Sequence, residues 1–202
     1  MNYKDYQNAR DAAWRILIDC EVDRLPVDLN VVCRKLGVRL RSYLSADALV
    51  QKIGARGTTD GALLFYRGEP LILYDSELTP GRVRFTVAHE IGHLVLGHVV
   101  PGQRTMVNRE PSSGDNPMET SANQFAARLL APACVLWGLG LHTADEITEA
   151  CHISKQAARV RAERMEVLYV RNKFLLSPLE QEVYRNFLPY IQGVKELLNP
   201  RQ

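Results

Sequence analysis

Little in this sequence marks a secreted, membrane-spanning or disulfide-stapled chain. Its four cysteines, Cys20, Cys33, Cys134 and Cys151, form no CxxC pair and no secreted-type framework. Each lies in an apolar or helical setting, which reads as a buried, reduced thiol. No apolar run approaches the roughly 20 residues that a membrane helix needs. The opening residues, MNYKDYQNARDAAW, hold no apolar signal core and no cleavage site. These absences give the expectation of cytoplasmic residence. A dominant charge is lacking too. Lys and Arg number 25 against 23 Asp and Glu, a formal net charge of +2, which is too small to make nucleic acid or membrane the default partner. There is no internal repeat and no low-complexity segment.

What is present is ordinary globular material, with 46% hydrophobic and 24% charged residues. A chain of 202 residues can bury a substantial core without staples. Ala9, Ala13, Ile16, Leu17 and Cys20 recur at helical spacing in a first helix over residues 4–20. Pro26 breaks the chain, and Asp28 can cap a second helix that Gly37 ends. Residues 38–44 alternate apolar and basic side chains, as a half-exposed strand does. A short helix is expected over 46–53. Two apolar runs, 62–66 and 71–74, read as a hairpin turning at Arg67 to Pro70. A strongly helical stretch covers 83–98, and a proline- and glycine-bearing loop covers 101–117. Another helix runs from about Met118 to Leu130, closed by Ala131 and Pro132. The rest reads as all-helical: 144–151, 154–170, and a last helix opened by Ser177, Pro178 and Glu180. Val183, Phe187, Ile191 and Val194 form the apolar stripe of that last helix. The expected class is α+β, with a first domain over 1–135 and a helical C-terminal region over 136–202.

The segment FTVAHEIGHLVLGH carries the chemistry. It contains H-E-x-x-H as His89, Glu90, Ile91, Gly92 and His93. Residues four apart lie on one face of a helix, so both imidazoles can reach one ion. Glu90 is offset by about 100° of rotation, so it flanks the ion rather than ligating it. From there it can act as general base towards water on a zinc ion, whose positive charge lowers the pKa of that water and polarises a carbonyl. The histidines ligate only when neutral, so acid should release the metal.

A catalytic zinc site normally takes three protein ligands. Glu119, at the start of the helix METSANQFAARLL, is the preferred third. Asn123 lies one turn further on the same face and can hold a ligand histidine by its other ring nitrogen. His98 competes for the third place. Five residues after His93, it would face about 140° away on a continuous helix, so a structural or supporting role fits it better. His142 and His152, in the helical tail, read as ordinary residues.

AHEIGHLVLGH followed by METSANQFAARLLAP resembles the ImmA/IrrE family of zinc peptidases, whose HExxH helix is paired with an E-x-x-A-N-x-F-A-x-x-L-L-x-P helix. Glu119, Ala122, Asn123, Phe125, Ala126, Leu129, Leu130 and Pro132 fall on that pattern. The RFT of Arg84, Phe85 and Thr86 also fits, as does LPVDL from Leu25. Ser121 departs from it, where many members have a second acid. The resemblance covers roughly residues 10–135. It implies a small zincin-like α+β core, with a short sheet packed on the HExxH helix and a glutamate-completed zinc site. It also implies a protein substrate, a helix-turn-helix repressor, because characterised relatives cleave such repressors.

The tail segment ADEITEACHISKQAARVRAERM is weakly similar to a helix-turn-helix. Ile147, Cys151, Ile153 and Ala158 take core positions, but Thr148 and His152 stand where alanine and glycine are usual. Lys155, Arg159, Arg161 and Arg164 make its second helix basic. Contact with DNA phosphates is one reading. A helical pair packed on the peptidase is preferred, and a docking surface for a protein substrate is a further possibility. Tyr66, Tyr74, Arg82 and Arg84 are candidates for stabilising an oxyanion. Residues 71–75 are a candidate edge strand for an extended substrate, and 101–117 a candidate lid. Two function classes compete: an endopeptidase acting on a regulator, and a regulatory binding protein that sequesters a repressor or contacts DNA with little turnover.

Overall fold

The computed structural model describes residues 3–56, 59–100, 107–108 and 116–198. The elements in order are α1 (Tyr3–Asp19), α2 (Leu29–Lys35), β1 (Arg39–Ser42), a single 3-10 turn (Leu44–Ala46), α3 (Asp47–Ile53), β2 (Thr59–Tyr66), β3 (Glu69–Tyr74), α4 (Pro80–Val95), β4 (Val107–Asn108), α5 (Pro117–Leu130), α6 (Ala133–Leu139), α7 (Ala144–Cys151), α8 (Lys155–Val170) and α9 (Pro178–Leu198). The class is α+β, a small sheet with a helical C-terminal half, as expected. Of the loop expected over 101–117, residues 101–106 and 109–115 lie outside the described residues, and with them most of the candidate lid.

Local chemistry accounts for most of these boundaries. Asp28 caps α2, its Oδ1 accepting from Asn30 N at 2.8 Å and Val31 N at 3.3 Å. Thr143 and Glu146 form a full capping box on α7. At α9, Glu180 N donates to Ser177 Oγ, and the Glu180 carboxylate reaches back to Leu176 N. The hairpin between β2 and β3 closes in two residues, Arg67 and Gly68, both at positive φ (56° and 83°), the twist that suits a tight hairpin. α6 was not expected. Its sequence, ACVLWGL, is apolar nearly all round, so it shows no amphipathic period, and six of its seven residues are buried.

The sheet order is β1-β3-β2-β4, with β1 and β3 parallel and the other pairs antiparallel. This corrects the reading of residues 71–75 as an edge strand. β3 lies inside the sheet, because Arg39–Ser42 pairs along Leu71–Tyr74 on the side that β2 leaves open. Its apolar run Leu71, Ile72, Leu73 is fully buried, as an interior strand covered on both faces should be.

Two cores result. Leu64, Leu71 and Leu73 face Tyr43, Val50 and Ala55 beneath α3 and the 3-10 turn. Leu63 and Ile72 face α4 and the main core. That main core is continuous from Ala13 and Leu17 of α1, through Phe125 and Leu129 of α5, to Ile147, Met165 and Phe187 of α7, α8 and α9. Val135, at the expected domain boundary, is buried within it. The four cysteines are buried and free, and burial pushes the thiols of Cys33, Cys134 and Cys151 up to about 12. Among the described residues, no single helix is long and apolar enough to cross a membrane.

Candidate metal centre and active site

α4 begins at Thr79 and Pro80, with proline in the first turn where its missing N–H costs nothing. It then runs under the sheet. Gly61 and Gly92 set how closely β2 and α5 approach it. At Gly61 of β2, an added Cβ would lie 2.4 Å from Thr86 Cγ2 and 3.0 Å from Leu73 O, so only glycine lets β2 rest on α4. At Gly92, inside the HExxH motif, an added Cβ would sit 3.0 Å from the Phe125 ring and 3.2 Å from Ala122 O. The motif glycine and Ala122 therefore let α5 cross α4 closely enough for Glu119 to meet the histidines.

They do meet. His89 Nε2 and His93 Nε2 are 2.9 Å apart, and Glu119 spans them, Oε2 at 3.2 Å from His89 and Oε1 at 3.3 Å from His93. One ligand atom from each of the three residues lies within 4.8 Å of the others. Donors placed tetrahedrally at zinc–ligand distances of about 2.0–2.1 Å would stand roughly 3.3 Å apart, so the donor set fits such an ion. Both imidazoles are 2% exposed and the Glu119 side chain 30%, so the cluster is walled by α4 and open on the carboxylate side.

The other ring nitrogens are also engaged. His89 Nδ1 donates to Asn123 Oδ1 at 2.8 Å. An amide oxygen only accepts, so Nε2 is left with its lone pair facing inward. This is the supporting role expected of Asn123. His93 Nδ1 lies 3.1 Å from His98 Nδ1, and His98 Nε2 lies 3.4 Å from Ser121 Oγ, which itself donates to Met118 O at 2.9 Å. With Ser121 Oγ accepting from His98, the chain of bonds makes His93 Nδ1 a donor and frees its Nε2. His98 lies outside the donor cluster: the helix ends at Val95, and His98 folds back over His93. Burial, with His93 adding to it, lowers the His98 pKa to about 4, so His98 stays neutral. Ser121, the departure from the family pattern, lies within hydrogen-bond reach of it at 3.4 Å.

Burial alone would lower the His89 pKa, but Glu119, Glu90 and Asn123 together raise it. When the imidazoles carry a proton on Nε2, their hydrogen bonds hold Glu119 well below the usual carboxylate range. Glu90 stays outside the donor cluster. It is fully buried on the sheet side of α4, where an added Cβ on Gly61 would be 3.8 Å from its Cγ.

Residues 33–163 match the IrrE N-terminal-like domain of peptidases, well over half the chain. The chain belongs to this metallopeptidase family. No curated protein matches it. The match extends past residue 135 into α8, so the IrrE N-terminal-like region and the helical tail overlap along the sequence.

Within this IrrE N-terminal-like fold, the four oxyanion candidates separate. Arg84 Nη2 donates to Val27 O at 2.9 Å, tying the RFT segment to LPVDL and away from the cluster. Tyr66 lies at the hairpin end of β2, flanked by the guanidinium groups of Arg39 and Arg67. Tyr74 pairs with Gly61 across the sheet and packs on the α4 side. Arg82 is held by buried Asp60 at 2.6 Å and lines a cavity of about 770 Å³ that also borders Asn123. Tyr74 and Arg82 therefore remain. The sequence reading missed Asp60, whose only signal was an acid inside an apolar strand. The expected basic face of α8 also divides: Arg161 is buried, while Arg164 lines the cavity and Lys155 pairs with Asp145 at 3.6 Å. His152, standing where glycine is usual, takes positive φ (53°) in the turn between α7 and α8.

Proposed function

We propose that the chain is a zinc-dependent endopeptidase of the cytoplasm that cleaves a specific regulatory protein. The convergence of His89, His93 and Glu119, with Glu90 beside them, carries this reading. A zinc ion held by the three would supply Lewis acidity, polarising a substrate carbonyl and acidifying water. The chain's own residues supply the rest. Asn123 and His98 orient the two imidazoles. Glu90 accepts a proton from the attacking water and returns it to the leaving amine, the general acid–base role. Arg82 or Tyr74 faces the developing negative charge. Burial of the imidazoles excludes water from all but the open side.

A helix-turn-helix repressor is the substrate class, on the strength of the family resemblance. Glu90→Gln separates this from a regulatory binding protein. The variant should keep its zinc and its partner while cleavage falls by about 10²-fold or more. Full biological activity in the variant would favour the binding protein instead.

A further inference from the structure

The cavity of about 770 Å³ beside the metal centre is walled by helices from both halves of the chain. Phe85 of α4 and Ala127 of α5 line it, and so do Ala157 and Val160 of α8. Its size is that of an ordinary ligand pocket, roughly 300–1,000 Å³. A close approach fixes the start of α8 there. An added Cβ on Gly81 of α4 would lie 2.7 Å from Ser154 N and 3.0 Å from Ile153 C, so only glycine lets the turn before α8 rest on α4. In a DNA-reading helix-turn-helix, the N-terminal residues of the second helix contact base edges. Here Ser154 and Ala157, at that end of α8, line the cavity instead.

The cavity runs to the metal centre. Asn123 lines it and bonds His89, and the Phe85 ring, one turn before His89 on α4, lies 6.3 Å from that imidazole. Polar groups on its walls are engaged within the protein. Arg82 is held by Asp60 at 2.6 Å, Asn123 Oδ1 accepts from His89 at 2.8 Å, and Arg128 donates to Gln124 O at 2.9 Å. Arg161 and Arg164 have contacts of their own. The surface left for a ligand is therefore mainly apolar. Val160 presents most of it, being 56% exposed on a helix that buries Ala158 and Met165 completely.

We propose that this cavity receives a bulky apolar side chain of the protein substrate, close to the cleaved bond, with Ala157 and Val160 of α8 as specificity-determining residues. A peptide whose carbonyl reaches His89, His93 and Glu119 lays its neighbouring side chains on the walls beside them, and the wall that continues from Phe85 is apolar. A leucine or phenylalanine side chain removes more apolar area from water there than alanine does. A polar side chain gains less, since it gives up water for these walls. Ala127 and Ala157 leave the room, and Val160 supplies the contact. The C-terminal helical region thereby takes part in choosing which protein is cleaved. The step from binding to cleavage rests on the peptidase reading above, while the binding itself does not.

The test begins with full-length, zinc-loaded wild-type protein, titrated with the N-acetyl amides of leucine, phenylalanine, alanine and glutamine. The methyl NMR signals of Ala127, Ala157 and Val160 report where each binds. The leucine and phenylalanine amides should shift these methyls and bind about tenfold more tightly than the alanine amide. Val160 is exposed, so Val160→Asp should fold and keep its zinc, and it should weaken both apolar amides by about tenfold. A mixture of peptides of varied sequence is then digested. Bonds cut by wild type should carry a bulky apolar residue at one fixed place beside the cut. Val160→Trp narrows the cavity and should move that preference towards alanine or glycine. Equal binding of the leucine, alanine and glutamine amides overturns the proposal, as does the absence of any shift at the three methyls. So does cleavage with no such preference, or with one unmoved in Val160→Trp. If the amides discriminate but wild type cleaves nothing, the peptidase reading fails and the pocket stands.

Discussion

Asn123 and His98 each engage Nδ1 of one of the two motif imidazoles, which leaves Nε2 facing inward. Removing either should cost zinc affinity while leaving all three ligands in place. Asn123→Ala and Ser121→Ala are each expected to weaken zinc binding by about 10–100-fold, read by competition with a chelator. Unchanged affinity in both would mean that the supporting bonds at 2.8 Å and 3.4 Å orient nothing. The pH dependence has a definite sign. Imidazole must be neutral to ligate, and the raised His89 pKa lets protons compete from a higher pH than usual. Zinc affinity measured across a pH series should therefore begin to decline at a higher pH than an ordinary histidine ligand would give. Affinity unchanged to about pH 4 would contradict this. Much of the site was legible at this scale. His89, Glu90 and His93 sit at helical spacing, and Glu119 and Asn123 repeat that spacing on a second helix. Asp60 and the Ser121–His98 contact were not legible, because each depends on how two elements cross.

Close approach at Gly61 and Gly92 brings the sheet and α5 onto α4. Gly61→Ala forces a methyl against Thr86 and the Leu73 carbonyl, and should destabilise the protein by about 1–3 kcal/mol in denaturant titration. Gly92→Ala pushes on Phe125 and Ala122, so it should loosen zinc as well as the fold, by parting α5 from α4. Loss of stability without loss of zinc affinity would show that Glu119 can follow its helix. The hairpin and the helices α1, α4, α5 and α9 were legible from their periods. α6 was not, since a short helix buried all round has no polar face to set a period. The position of β3 was misread because apolar content marks a strand as buried without saying which neighbour covers its edge.

At the scale of the molecule, one core joins α4 and α5, which carry His89, His93 and Glu119, to the C-terminal helices. Phe187 is fully buried in it, on α9 and far along the chain from the motif. Phe187→Ala should cost about 3–5 kcal/mol. A single cooperative denaturant transition should shift, and zinc should be released in that same transition. Two transitions, with zinc held through the first, would instead show that residues 1–135 fold separately from 136–202. The claim on which the whole reading stands is that His89, His93 and Glu119 together hold a zinc ion. Metal content of the purified wild type beside Glu119→Ala tests it most directly. About one zinc per wild-type chain is expected, with a large loss in the variant. Equal zinc in both would remove Glu119 from the ligand set, and no zinc in the wild type would contradict the metal centre itself.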